Sequence, residues 1–246
     1  MVKGVLVKKV MLTNINTKTL REQTYKAIKD QILKNLLLPG HDITIRKLAA
    51  DLGISETPVR EALVMLKAEG LVDYEPHKKP KIANITEGEV RQVYEVRKLI
   101  EPYAVRLVIE GLSKNPQLRE KLQKVDELAK KIAQTPVETC EYDEYVEIDL
   151  NLNELFLQAA ENRLFREVLM LISSRSMRIR TFVEATSKVK ESYLMHAITL
   201  EHQMIIQAML QEDIHEAQKR VRQHLSNAEL RTVQEMMRYK GDPRNL

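Results

Sequence analysis

The chain has 246 residues, 43% hydrophobic and 30% charged, with 7 glycines, 8 prolines and no tryptophan. That length allows one large domain or two ordinary ones, and so few Gly, Pro and aromatic residues favour helices over a sheet-rich fold. A lone cysteine, Cys140, excludes an intrachain disulfide and suits a reducing compartment, and no apolar run approaches the ~20 residues of a membrane span.

The net charge of +4 is unevenly spread: residues 1–83 carry +6 and the remainder carries −2. A basic excess confined to the first third suits a module that neutralises phosphates. Residues 1–17 form a basic N-terminal extension. Its apolar start is interrupted by Lys8 and Lys9 and lacks a small-residue cleavage site, so the chain is expected to be cytoplasmic rather than exported.

The first helix is predicted from about Thr19 to Leu36, with Leu20, Ala27, Ile28 and Ile32 on one face, and Leu38-Pro39-Gly40 turns the chain after it. From Leu48 to Leu63 the sequence L-A-A-D-L-G-I-S-E-T-P-V-R-E-A-L predicts two short helices joined by a tight turn. Leu48, Leu52, Val59 and Leu63 supply the apolar faces. Gly53 fits the left-handed position past the first helix, Ser55 caps the second, and Pro58 falls in its first turn. Ser55, Thr57 and Arg60 then face outward near the N-terminal end of the second helix, the end that enters the major groove in a helix-turn-helix. That helix is expected to stop at Gly70. Leu71–Tyr74 and Lys81–Ala83 read as two short strands around the basic tip Pro76-His77-Lys78-Lys79-Pro80, which makes the module a winged helix-turn-helix over residues 18–83. The alternative is a small helical subdomain bearing a solvated charged hairpin.

Residues 84–87 form a linker, and Thr86-Glu87-Gly88-Glu89 is a capping box opening an all-helical region over 88–240. Breaks at Gly111–Pro116, Gln134–Pro136, Glu161-Asn162, Ala185–Lys188 and Gln211–Asp213 give about six helices before a short tail at 241–246. The predicted fold class is therefore mainly α: three helices plus a two-stranded β-wing, then an all-α helical bundle.

Polar groups interrupt the apolar stripes of this bundle. Asp149 lies among Tyr145, Leu152, Phe156 and Ala159, with Asn153 one turn on; His202 lies among Ile198, Ile205 and Met209; His224 lies among Ala217, Val221 and Ala228. Each alone reads as a hydrogen-bonded core residue. Together, three inward-facing donors and an amide can share one divalent cation, and the ligand set suits Zn²⁺, Ni²⁺ or Mn²⁺. Arg97 falls on the stripe Val93, Ile100, Ala104, Leu107, either as an i,i+4 partner of Glu101 or as a bidentate grip on a carboxylate entering the cavity. Arg175 and Arg178, after the apolar run Val168–Ile172, are further candidates for that grip, while His41, His196 and His215 are assigned to the surface or to caps.

Leu38-Pro39-Gly40, the Leu48–Leu63 stretch and Glu69-Gly70-Leu71-Val72 resemble the GntR family of bacterial transcription regulators, in its FadR-type branch with an all-helical FCD effector domain. The resemblance implies a homodimer that binds a palindromic double-stranded operator, most often as a repressor. It implies helix contacts from Arg46, Ser55, Thr57 and Arg60 and wing contacts from His77, Lys78 and Lys79. It also implies a metal held by Asp149, Asn153, His202 and His224, with Asn153 standing where the family carries a His, and a small organic acid bound at Arg97. Two departures stand out: Glu56 occupies a position where Arg is common, and the wing has Lys78-Lys79-Pro80 where many members carry a glycine. No enzymatic activity is expected. The competing possibilities are a metal-dependent hydrolase, for which no general base accompanies the ligands as in an H-E-x-x-H motif, and a metal-free bundle sensing an apolar or acyl effector.

Overall fold

The computed structural model describes residues 20–33, 36–75, 78–136, 142–186 and 192–240. In chain order these form α1 (Leu20–Leu33), α2 (Ile45–Leu52), α3 (Glu56–Ala68), β1 (Val72–Asp73), β2 (Lys81–Ile82), α4 (Glu87–Leu112), α5 (Pro116–Gln134), α6 (Tyr142–Ala159), α7 (Arg163–Thr186), α8 (Ser192–Leu210) and α9 (Ile214–Lys240). The fold is mainly α with a small two-stranded wing, as the sequence predicts. The described residues divide into two compact units, one of 20–30 with 42–81 and one of 31–41 with 82 onward. The N-terminal extension, His77, the side chain of Tyr145 and the tail 241–246 lie outside the described residues. No described helix is long and apolar enough to cross a membrane.

In the first unit α2 packs on α3, and α3 on β1. Val59, Ala62, Leu63 and Leu66 form the buried face of α3. Gly53 holds φ +66° after α2, and the Ile54 N–H closes the turn on the Ala49 carbonyl at 3.0 Å. Gly70 does the same after α3, at φ +71°, with Leu71 N–H reaching the Leu66 carbonyl at 2.9 Å. Three details depart from the sequence expectation. Ser55 takes the extended N-cap backbone but its hydroxyl makes no capping bond. Ala49 is the buried residue of α2 while Leu52 is 38% exposed, because a two-turn helix has room for one inward turn and Leu52 stands beyond it. On α1 the buried line runs Thr24, Ile28, Ile32, while Leu20 is exposed; the Thr24 hydroxyl is satisfied by donating to the Leu20 carbonyl at 2.7 Å.

Glu69, at the C-terminal end of α3, accepts hydrogen bonds from the Tyr25 hydroxyl and from Lys29 Nζ, the latter at 2.7 Å. Both donors stand on α1, so α3 is fixed at its C-terminal end by charge as well as by packing. β1 pairs with β2, and an antiparallel bridge joins Asp42 to Lys81.

In the second unit the capping box is formed: Thr86 Oγ1 accepts from the Glu89 N–H at 3.1 Å and opens the 26-residue α4. Asn115 caps α5 in the same manner, and Asp213 accepts from the Glu216 N–H at 2.9 Å at the start of α9. α4 packs mainly along α9, α5 against α6 and α8, and α8 against α9. Pro102 lies inside α4, and its carbonyl accepts from Gln218 Nε2 of α9 at 2.9 Å. The buried interior of this bundle runs from Val90 and Val93 through Leu122, Ile148 and Leu155 to Ile206 and Leu225. His196, expected at the surface, is half-buried and joins α8 to α5 through Nε2 and the Ala133 carbonyl, 3.0 Å apart.

Candidate functional site

Asp149 on α6, His202 on α8 and His224 on α9 converge, each offering a ligand atom within 4.8 Å of the others. The two imidazole rings are 4.6 Å apart between centroids, and His202 Nε2 is 3.9 Å from Asp149 Oδ1. The cavity around them is lined by Arg97 and Glu101 of α4, Asn153 of α6 and Ser173, Ser176 and Arg180 of α7, among others. About 40 Å³ of it is open to the centre of a water molecule. At roughly 10–15 Å³ for one water, that is space for an ion and a small polar molecule.

The electrostatics prepare the donors for a cation. Burial opposes ionisation of Asp149, but the guanidinium groups of Arg180 and Arg97 outweigh it and hold the carboxyl well below the usual carboxylate range. Burial pushes His202 down to about 3, aided by the neighbouring His224, so its ring is neutral and keeps a lone pair, the form that ligates metals. His224 Nδ1 lies 2.8 Å from Glu201 Oε2. With Nδ1 turned to that carboxylate, Nε2 is the atom His224 offers to the cavity, the arrangement by which a carboxylate orients a metal-ligating histidine. Glu201 is itself held by Asn227 Nδ2 at 2.8 Å and by both terminal nitrogens of Arg231, at 2.9 and 3.0 Å. Burial works against its charge, but these partners bring its carboxyl down to about 2.

Arg97 forms the i,i+4 pair with Glu101 and also lines the cavity. Its Nε donates to Glu101 Oε1 at 2.5 Å, one turn along α4, and the same side chain lines the cavity and lies 5.1 Å from the Tyr94 ring. Burial disfavours its charge, yet Glu101, Tyr94 and Asp149 keep it firmly protonated.

The second arginine of the cavity is Arg180, which donates to Asp149 Oδ2. This revises the expectation for α7, since Arg175 and Arg178 are not among the lining residues. Arg178 is 1% exposed and donates to the Ala83 carbonyl and to Glu89 Oε1, the latter at 3.5 Å. The physical reason is angular: two positions along a helix are about 200° apart, so Arg178 and Arg180 leave opposite sides of α7. The spacing Ser173, Ser176, Met177, Arg180 is an i, i+3, i+4, i+7 face and was the available signal. Asn227 and Arg231, which hold Glu201, are not among the sequence candidates, although His224, Asn227 and Arg231 share one face of α9 at spacings of three and four.

The nucleic-acid-facing candidates lie in the first unit. Arg46, Ser55, Thr57, Lys78 and Lys79 are exposed. Arg60 is exposed too, and its Nη2 donates to Glu56 Oε2 at 2.8 Å. Lys78 pairs with Glu75 at 2.7 Å within the wing.

Two family models cover most of the described chain. Residues 20–78 match the gntR family of bacterial regulatory proteins and residues 92–227 match the FCD domain. Over 147 residues the chain is 27% identical to the uncharacterized HTH-type transcriptional regulator YdhC of Bacillus subtilis (strain 168), covering 60% of this chain and 63% of that protein. It is 25% identical over 171 residues to the HTH-type transcriptional repressor RspR of Escherichia coli (strain K12), covering 68% and 72%. Among solved structures, E. coli McbR/YncC has the same fold with a TM-score of 0.70 at 19% identity, over 89% of this chain and 99% of that one. The chain belongs to the GntR family of bacterial regulatory proteins, with an FCD domain following its helix-turn-helix, and is a DNA-binding transcriptional regulator.

Proposed function

We propose that the protein is a homodimeric, cytoplasmic repressor that binds a palindromic operator and releases it when a small organic acid enters a metal-containing cavity of the FCD domain. The observation that carries this reading is the meeting of Asp149, His202 and His224 in one cavity with two arginines, Arg97 and Arg180. The residues fit a divalent cation: an ionised carboxylate and a neutral imidazole face each other, and a second imidazole is oriented by a carboxylate on its far nitrogen. Asp149, His202 and His224 hold the ion in this reading, with Asn153 lining the same space; Zn²⁺, Ni²⁺ and Mn²⁺ all suit the set. When bound, such an ion supplies positive charge that anchors a carboxylate. Arg97 and Arg180 add guanidinium donors, and Ser173 and Ser176 bring hydroxyls suited to a hydroxylated acid.

Repression follows the name of RspR, and the dimer follows from the symmetry with which helix-turn-helix proteins meet paired half-sites. Coupling between the cavity and operator affinity is the property that would make the protein a switch.

Two observations favour this over the alternatives. Glu201, the carboxylate beside His202, is not among the cavity-lining residues and is engaged by His224, Asn227 and Arg231, which argues against its use as a hydrolytic base. The small accessible volume suits a compact acid better than an acyl chain.

Thermal shift with a panel of small carboxylic acids, with and without Zn²⁺, Ni²⁺ or Mn²⁺, tests the reading. The expected result is a rise in Tm that needs both metal and acid. In Arg97→Ala the response to acid is lost while the response to metal persists. No metal-dependent stabilisation, together with no stoichiometric metal by elemental analysis after supplementation, would overturn the metal assignment. An unchanged acid response in Arg97→Ala would overturn the effector site.

A further inference from the structure

We infer that Glu56 and Arg60 read sequence as a pair: Arg60 takes a guanine and Glu56 accepts from the amino group of a cytosine, at the same or the adjoining base pair of each half-site. The inference rests on α3 being the recognition helix and deepens that reading to a base preference.

Glu56 is the first residue of α3 and Arg60 stands one turn on, both exposed, with side chains 44% and 53% accessible. Arg60 Nη2 donates to Glu56 Oε2 at 2.8 Å. Tyr74, directly after β1, is near enough to favour the charged form of Arg60 as well. The guanidinium is thus held by its own helix, through Glu56 one turn back.

An exposed i,i+4 pair contributes little to folding, so stability does not explain this arrangement. Its effect is on the arginine's freedom. A long side chain already held in one orientation gives up less entropy when it docks, and a fixed guanidinium fork selects the O6 and N7 acceptors of guanine. Lys78 and Lys79, exposed at the wing, are the kind of side chain that answers to phosphate charge instead.

Glu56 poses the complementary question. A carboxylate at the leading end of the helix meets a surface of phosphates; Arg60 answers its Oε2, which leaves Oε1 to accept from a donor on the DNA. The major-groove base donors are cytosine N4 and adenine N6, and carboxylates characteristically pair with cytosine. Because Glu56 lies one hydrogen bond from the guanidinium, its donor must come from the guanine's own pair or the next one.

The test is selection of binding sites from random duplex DNA by the full-length protein, comparing wild type with Glu56→Gln, Glu56→Ala and Arg60→Ala, each checked for fold by circular dichroism. Wild type should enrich a fixed guanine together with a fixed cytosine at the same or adjoining pair of each half-site. Discrimination against other bases at the cytosine should be roughly 5- to 150-fold. Glu56→Gln and Glu56→Ala should keep the guanine while discrimination at the cytosine falls toward onefold. Arg60→Ala should lose the guanine preference and retain only sequence-independent binding. A motif unchanged at every position in both Glu56 variants overturns the inference, as does an adenine selected where cytosine is expected. If wild type enriches no sequence at all, the recognition-helix reading itself fails and the inference falls with it.

Discussion

Replacing Glu201 by Gln should weaken metal binding through a residue that does not line the cavity. The substitution keeps the size of the side chain but removes the charge that faces His224, Asn227 and Arg231. Loss of an orienting partner to a metal-ligating histidine costs about 10- to 100-fold in affinity. The fold pays too, because Arg231, only 23% exposed, is left facing a neutral amide. A carboxyl brought down to about 2 from its ordinary value near 4.5 corresponds to roughly 3 kcal/mol, and solvent access to both partners reduces this to about 2 kcal/mol. At roughly 2–4 °C per kcal/mol, Tm falls by about 4–8 °C. Since the folded-state pKa is depressed, this stability is complete above the ordinary carboxylate range and drains away as pH falls from about 4.5 toward 2. In the variant that part of the acid transition should disappear. Competition with a chromogenic chelator at neutral pH measures the affinity, and thermal melts of the metal-stripped protein measure the stability separately. Zinc affinity within threefold of wild type, in a protein whose Tm has fallen as stated, would refute the orienting role and leave Glu201 a purely structural residue.

Asn153→His adds an imidazole one helical turn from Asp149 and should raise zinc affinity at least ~10-fold in the same competition assay; no gain would mean that position 153 does not reach the bound ion. Arg178→Met should leave metal affinity and the acid response intact while lowering Tm by about 6–12 °C, the equivalent of roughly 3 kcal/mol for stripping Glu89 of a buried partner. A lost acid response at unchanged stability would return Arg178 to the effector site. Lys78→Ala with Lys79→Ala should weaken binding by a similar factor on every duplex and reduce the slope of log affinity against log salt by about 2, measured by fluorescence anisotropy; a loss restricted to one sequence would count against phosphate contact.

The helix borders were legible because the chain marks them locally: Thr86, Asn115 and Asp213 each accept a backbone N–H three residues on, and Gly53 and Gly70 take positive φ where a helix must stop. The convergence of Asp149, His202 and His224 was legible because imidazoles and a carboxylate on apolar stripes need a shared partner. What the sequence concealed depended on tertiary context. Leu52 looked buried by periodicity but ends a helix too short to cover it. Arg175, Arg178 and Arg180 are chemically identical, and only the rotation of α7 decides that Arg180 meets Asp149 while Arg178 meets Ala83. The Glu201–Arg231 pair spans two helices 30 positions apart in the chain, and no local pattern announces it.

Arg178 gives α7 the character of a lever with a pinned end. Ser176, Met177 and Arg180 feel whatever fills the cavity, and Arg178, between them in sequence, grips the Ala83 carbonyl and Glu89 where α4 begins. A side chain 1% exposed cannot release those partners without stranding its charge in the interior. Arg178 therefore ties the position of α7 to the backbone at Ala83 and to the first turn of α4.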